Sequence, residues 1–158
     1  MIKINRNASH GQYLIADIFP DIKQNRAVRE IFDTPEELDE VLRQTRVLIS
    51  DQPSYMRVDN DDGSILIGRH HLEHADRVIL HLDIIHELVH VRQHRRGLDL
   101  YDRSRAYVDR PTEIEAYALT VKEARRIGLS DHQILNYLSV EWVTPQEHDR
   151  LAKRLGIG

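Results

Sequence analysis

Cysteine is absent from the 158 residues, so the chain can build no disulfide, no thiolate metal site and no cysteine nucleophile. Its absence agrees with an expected cytoplasmic address. No tract is apolar enough over enough residues to span a bilayer, so no membrane partner is expected. The opening "MIKINRNASHGQYLIADIFP" lacks the basic start, apolar middle and small-residue cleavage site of a secretory signal. Neither a repeat nor a low-complexity linker interrupts the chain. A strong excess of one charge is missing too: 22 Lys and Arg against 26 Asp and Glu leave −4, which argues against a nucleic-acid partner. The arginines of "VRQHRRG", "YDRSRAYVDR" and "KEARRIG" are interleaved with Asp99, Asp102, Asp109, Glu113 and Glu123, the pattern of a salt-bridged surface.

What remains is an ordinary globular composition, 41% hydrophobic, at a length that suits one domain with a core of its own. "TPEELDEVLRQTRVL" opens a helix with Thr34 as N-cap, Pro35 at the first position and Glu37 completing a capping box. "SYMRVDNDDGSILIG" reads as a hairpin around a polar turn ending at Gly63. Its acidic residues do not make a calcium loop, because the first ligand position of an EF-hand would fall on Val58. A long helix is expected from about Asp76 to Arg96, with Val78, Leu82, Ile85 and Val89 as its core stripe and Gly97 as its stop. "RPTEIEAYALTVKEARRIG" is a second helix ending at Gly128. Two more follow: Ser130 and Gln133 cap one, Thr144, Pro145 and Glu147 open the other, and Trp142 between them is expected to pack. The fold class is therefore α+β, mostly helical with a small N-terminal mixed sheet. Residues 1–158 form one domain, with a β/α part over 1–70 and a helical part over 76–158.

Within the long helix, "IIHELVHV" places His86, Glu87 and His90 in an apolar run. Residues four apart lie one turn above each other, so His86 and His90 can aim two imidazoles at one divalent metal. Glu87 is rotated by about 100° from His86. It is placed to act on a water at the metal rather than to bind the metal, the logic of an H-E-x-x-H site. A third ligand must come from another element, since His94, a further turn along the same straight helix, cannot converge with the other two. The second helix offers Glu113 and Glu115. Thr112 and Glu115 have the form of a capping box, which leaves Glu113 as the preferred third ligand and Glu115 as the alternative.

"HELVH" followed by "EIEAYA" resembles the gluzincins, zinc metallopeptidases with a glutamate as third ligand; the resemblance covers roughly residues 64–128. Glu113 and Ala116 match the Glu-x-x-Ala arrangement of several branches. Tyr117 departs from the aspartate that many carry next, and Val89 from a glycine common before the second histidine. The resemblance implies a zincin-like fold, a bound Zn²⁺ held by His86, His90 and Glu113, and Glu87 as general base in hydrolysis of a peptide or protein substrate by an endopeptidase. It also implies an edge strand before the metal helix that binds extended substrate, for which residues 64–68 are the candidate; an interior strand is the equal alternative. Tyr107, Tyr117 or a histidine is left as the donor to the oxyanion. His70, His71 and His74 in "GRHHLEH" are read as exposed histidines near the cleft, with a second metal or a pH-sensitive latch as the lesser reading. Latency is open between residues 1–50 over the cleft and self-association. The competing reading is a regulatory or DNA- or protein-binding protein on the same scaffold that cuts little or not at all.

Overall fold

The computed structural model describes all 158 residues, Met1–Gly158. The chain runs β1 (Gly11–Leu14), α1 (Ile15–Ile18), α2 (Arg26–Ile31), α3 (Pro35–Gln44), β2 (Arg46–Ser50), β3 (Met56–Val58), β4 (Ile65–Gly68), α4 (Arg69–His74), α5 (Arg77–Arg95), α6 (Pro111–Arg126), α7 (Asp131–Leu138) and α8 (Pro145–Arg154). This is the α+β, mostly helical architecture that the sequence implies. No helix is long and apolar enough to cross a membrane.

The four strands form one mixed sheet in the order β1-β2-β4-β3. β2 and β4 are parallel, with Val47 opposite Ile65, and β1 and β3 pair antiparallel at the two sides. The expected hairpin is β3 and β4, joined by a turn in which Asp59 and Asp62 accept nearby backbone N–H groups. β4 is interior, so of the two readings left open for residues 64–68 the interior strand holds and the edge strand does not; the edge is β3. Short strands rich in Val and Ile suit this sheet because alternate side chains enter the core beneath it.

α5 begins where the Asp76 carboxylate accepts the Val78 N–H at 2.8 Å and stops at Gly97, whose φ of +79° favours glycine. One core stripe was expected. Instead, nearly every side chain from Leu80 to Val91 is buried, while Val78 is only partly so. The reason is position: α5 lies between two apolar clusters. Ile84, Ile85, Leu88, Val89 and Val91 join the sheet and the N-terminal helices, whereas Leu82 packs with Val121, Ile134, Leu138 and Leu151 of α6, α7 and α8. A helix apolar all round is a core helix.

Two contacts between distant segments fix α5 and the sheet. His81, fully buried, accepts the Ile2 N–H at 3.0 Å with Nδ1 and donates from Nε2 to Glu123 of α6 at 2.7 Å. At the end of β4, Gly68 sits so close to the chain before β3 that an added Cβ would come 2.1 Å from the Ser54 carbonyl oxygen. That oxygen belongs to backbone and cannot swing away. Gly68→Ala is therefore expected to destabilise the fold by about 1–3 kcal/mol. The urea midpoint should fall at unchanged slope; an unaltered midpoint contradicts this close approach.

Candidate metal centre

His86 and His90 project from the middle of α5 toward the first turn of α6. There the Glu113 Oε1 lies 3.0 Å from His86 Nε2 and 3.0 Å from His90 Nε2, and the two Nε2 atoms are 3.2 Å apart. All three residues are buried, as is Glu87. His86, Glu87 and His90 also have ligand atoms within 4.8 Å of one another, a buried group able to hold a metal ion on an H-E-x-x-H helix. The Glu113 oxygen is nearer to both imidazoles than that limit, so Glu113 and not Glu115 faces the pair.

The chemistry of this triangle can be tested for fit. Around a zinc with bonds of 2.0–2.2 Å, tetrahedral ligand atoms are separated by about 3.3 Å. The three observed separations fall a few tenths of an ångström short, so a small outward shift admits the ion. The tautomer of His90 suits it as well. Gln93 donates its amide N–H groups to the Thr112 carbonyl and to Glu115, both at 2.9 Å, so its oxygen must accept from His90 Nδ1 at 2.7 Å. A neutral His90 then carries its lone pair on Nε2, directed at Glu113 and His86. Lone pairs on two nitrogens and a carboxylate so close repel unless a cation or a proton sits among them.

The titration of the cluster shows the same demand. Burial opposes a charge on His90, yet the hydrogen bond and charge of Glu113, with Glu87 adding, push it up to about 9. For Glu113 burial also opposes ionisation, but the two histidines outweigh it and hold its carboxyl well below the usual range. Burial lowers His86 despite Glu113. Glu87 differs: burial pushes it up to about 8, and its Oε2 is buried with no hydrogen-bond partner. A cation held beside it would pull this value down toward neutrality, where a general base works best.

The remaining candidates divide clearly. The expected Thr112–Glu115 capping box does not form, because Pro111 starts α6 and Arg110 is the N-cap. Glu115 instead pairs with Arg92 at 2.7 Å on a side chain 49% exposed. His94 holds the β3–β4 turn, with Nε2 3.1 Å from the Asn60 carbonyl oxygen. Tyr117 packs against His86 with its ring tilted, 4.4 Å between ring centres. His70 and His74 lie with tilted rings 4.4 Å apart on α4, while His71 turns inward to donate to Asp83 at 2.8 Å, so the three do not form a second metal group. Gln93 went unnoticed in the sequence, since nothing local marks a glutamine that bridges two helices.

Above the centre opens a cavity of about 440 Å³, with His86 and Glu87 in its wall. Tyr55 and Met56 from the β3 edge, Tyr107 and Tyr117, and the α7–α8 segment Ser139–Trp142 also line it. Trp142, expected to pack, is 49% exposed there. No residue before Tyr55 reaches this wall, so residues 1–50 do not cover the cleft. Comparison with protein-family models, with curated proteins and with solved structures finds no match to this chain.

Because a metal ligand must be unprotonated, zinc has to displace the proton that His90 carries below about pH 9. Apparent zinc affinity should rise about tenfold per pH unit up to that value and level off above it. Calorimetry at pH 7 in two buffers of different ionisation enthalpy should give at least about one proton released per zinc, the His90 proton, with any excess coming from Glu87. Binding without proton release contradicts the arrangement.

Proposed function

We propose that the protein is a zinc-dependent metallopeptidase of the gluzincin type, acting on internal bonds of peptide or protein chains. The observation that carries this reading is the meeting of His86, His90 and Glu113 at 3.0–3.2 Å beside an unpaired, buried Glu87 carboxylate at the wall of an open cavity. His86, His90 and Glu113 would hold the ion, which supplies a Lewis acid that acidifies water toward a pKa of about 7 and polarises a carbonyl.

The chain's own groups account for the rest of the reaction. Glu87 takes the proton of the attacking water and later delivers it to the leaving nitrogen, so the proton balance closes on one carboxylate. Its lack of any partner leaves Oε2 free for that exchange. Tyr107 and Tyr117 offer the donor to the carbonyl oxygen as it gains charge. Their hydroxyls bond each other at 2.8 Å, which occupies one of two protons and leaves the second to donate into the cavity that both line. Both phenols are held above their ordinary pKa, chiefly by burial, so that proton stays in place at neutral pH.

Extended substrate has a template in β3. The Gly68 N–H bonds to the Tyr55 carbonyl and the Asp59 N–H to the Ser64 carbonyl, so alternation turns the Met56 N–H and C=O outward, away from β4. Met56 lines the cavity, and a peptide adding to this edge would run past Glu87. Removal of the carboxylate charge tests the reading. Glu87→Gln should keep zinc at wild-type stoichiometry and lower kcat on a casein or peptide-library substrate by at least about 10²-fold. Wild-type turnover in that variant, or hydrolysis by the wild type that a chelator leaves intact, contradicts it.

A further inference from the structure

The cavity has a chemical bias that the metal centre does not explain. Although the chain carries 22 Lys and Arg, none contributes to this wall. Three carboxylates do: Asp83, Glu87 and Glu141. Asp83 accepts hydrogen bonds from His71 at 2.8 Å and from the Tyr137 hydroxyl at 2.7 Å, and Glu141 accepts from the Tyr55 hydroxyl. Asp83 and Glu141 are thus anchored to imidazole and phenol side chains rather than to a Lys or Arg, whereas Glu87 has no such anchor.

The walls themselves are aromatic. The ring centres of Tyr55 and Trp142 are 5.7 Å apart, and Tyr107 stands nearly perpendicular to Trp142 at 6.1 Å. Aromatic faces attract cations through their quadrupole, and the attraction grows where water is excluded. Ile79 and Val140 supply apolar surface in the same cavity, along which an aliphatic stem can lie while its charged end reaches a carboxylate. A volume of about 440 Å³ takes such a side chain.

The geometry points to a subsite for a lysine or arginine side chain of the substrate. The inference deepens the peptidase reading and rests on it. An apolar side chain would fill the same space but give the Asp83 and Glu141 carboxylates no counter-charge, and an acidic one would meet like charge. A free N-terminal ammonium has the charge but no stem to cover Ile79 and Val140.

The test uses Trp142, the chain's one tryptophan, whose fluorescence reports on the cavity it borders. The Glu87→Gln full-length protein, loaded with zinc, is titrated with acetylated and amidated pentapeptides that differ only at the central Lys, Arg, Leu or Glu. A Leu peptide with a free N-terminus is included. The Lys and Arg peptides should bind about tenfold more tightly than the Leu peptide, and the Glu peptide should bind weakest. Glu141→Gln, a change at an exposed side chain, should narrow the Lys-over-Leu preference several-fold with little effect on the Leu peptide. Leu binding equal to or tighter than Lys overturns the inference, as does binding governed by the free N-terminus or no saturable signal from any peptide. Binding is read without turnover, so a wild-type enzyme that cleaves none of these peptides speaks against the peptidase reading and not against the subsite.

Discussion

One contact organises the site: two imidazole nitrogens from α5 and one carboxylate oxygen from α6, buried within 3.0–3.2 Å of each other. Such a cluster is costly without a positive charge at its centre, because each group has given up water. The rest of the molecule makes it affordable to keep. α5 is wedged between two apolar clusters and cannot slide, and Gln93 ties His90 to the Thr112 backbone at the start of α6. His81 and Glu123 join the same two helices nearer their other ends. The two helices are therefore clamped on both sides of the centre, which sets the distance between Glu113 and the histidines.

The division of labour among the buried acids follows from their neighbours. Glu113 has two imidazoles and stays ionised, whereas Glu87, one residue along α5 from His86, has none and is pushed up to about 8 by burial. Two glutamates beside the same pair of imidazoles thus differ in proton affinity, the condition for one to hold a cation while the other moves protons. Glu87 also lines the aromatic cavity, so its side chain, the outward backbone of Met56 and the paired phenols of Tyr107 and Tyr117 border one space.

What the sequence disclosed was local and periodic. The spacing of His86, Glu87 and His90 needs nothing but a helix, and the caps at Thr34, Ser130 and Thr144 depend on residues three apart. The choice between Glu113 and Glu115 hung on where α6 begins. Glu113 lies against the two histidines, but the capping box invoked to prefer it is absent: Pro111 sets the start of the helix and Arg92 occupies Glu115. Features that depend on tertiary partners were out of reach. The choice between edge and interior for β4, the burial of His81 and the exposure of Trp142 each follow from segments dozens of residues away.

The central claim is that His86, His90 and Glu113 grip a single cation together. Zinc K-edge X-ray absorption on the protein loaded with one equivalent of metal tests it most directly. The account predicts two imidazole nitrogens at about 2.0–2.1 Å with the remaining donors light oxygens, and loss of the oxygen shell's carboxylate signature in Glu113→Ala. A zinc environment with fewer than two imidazoles, or one that Glu113→Ala leaves unchanged, would contradict it.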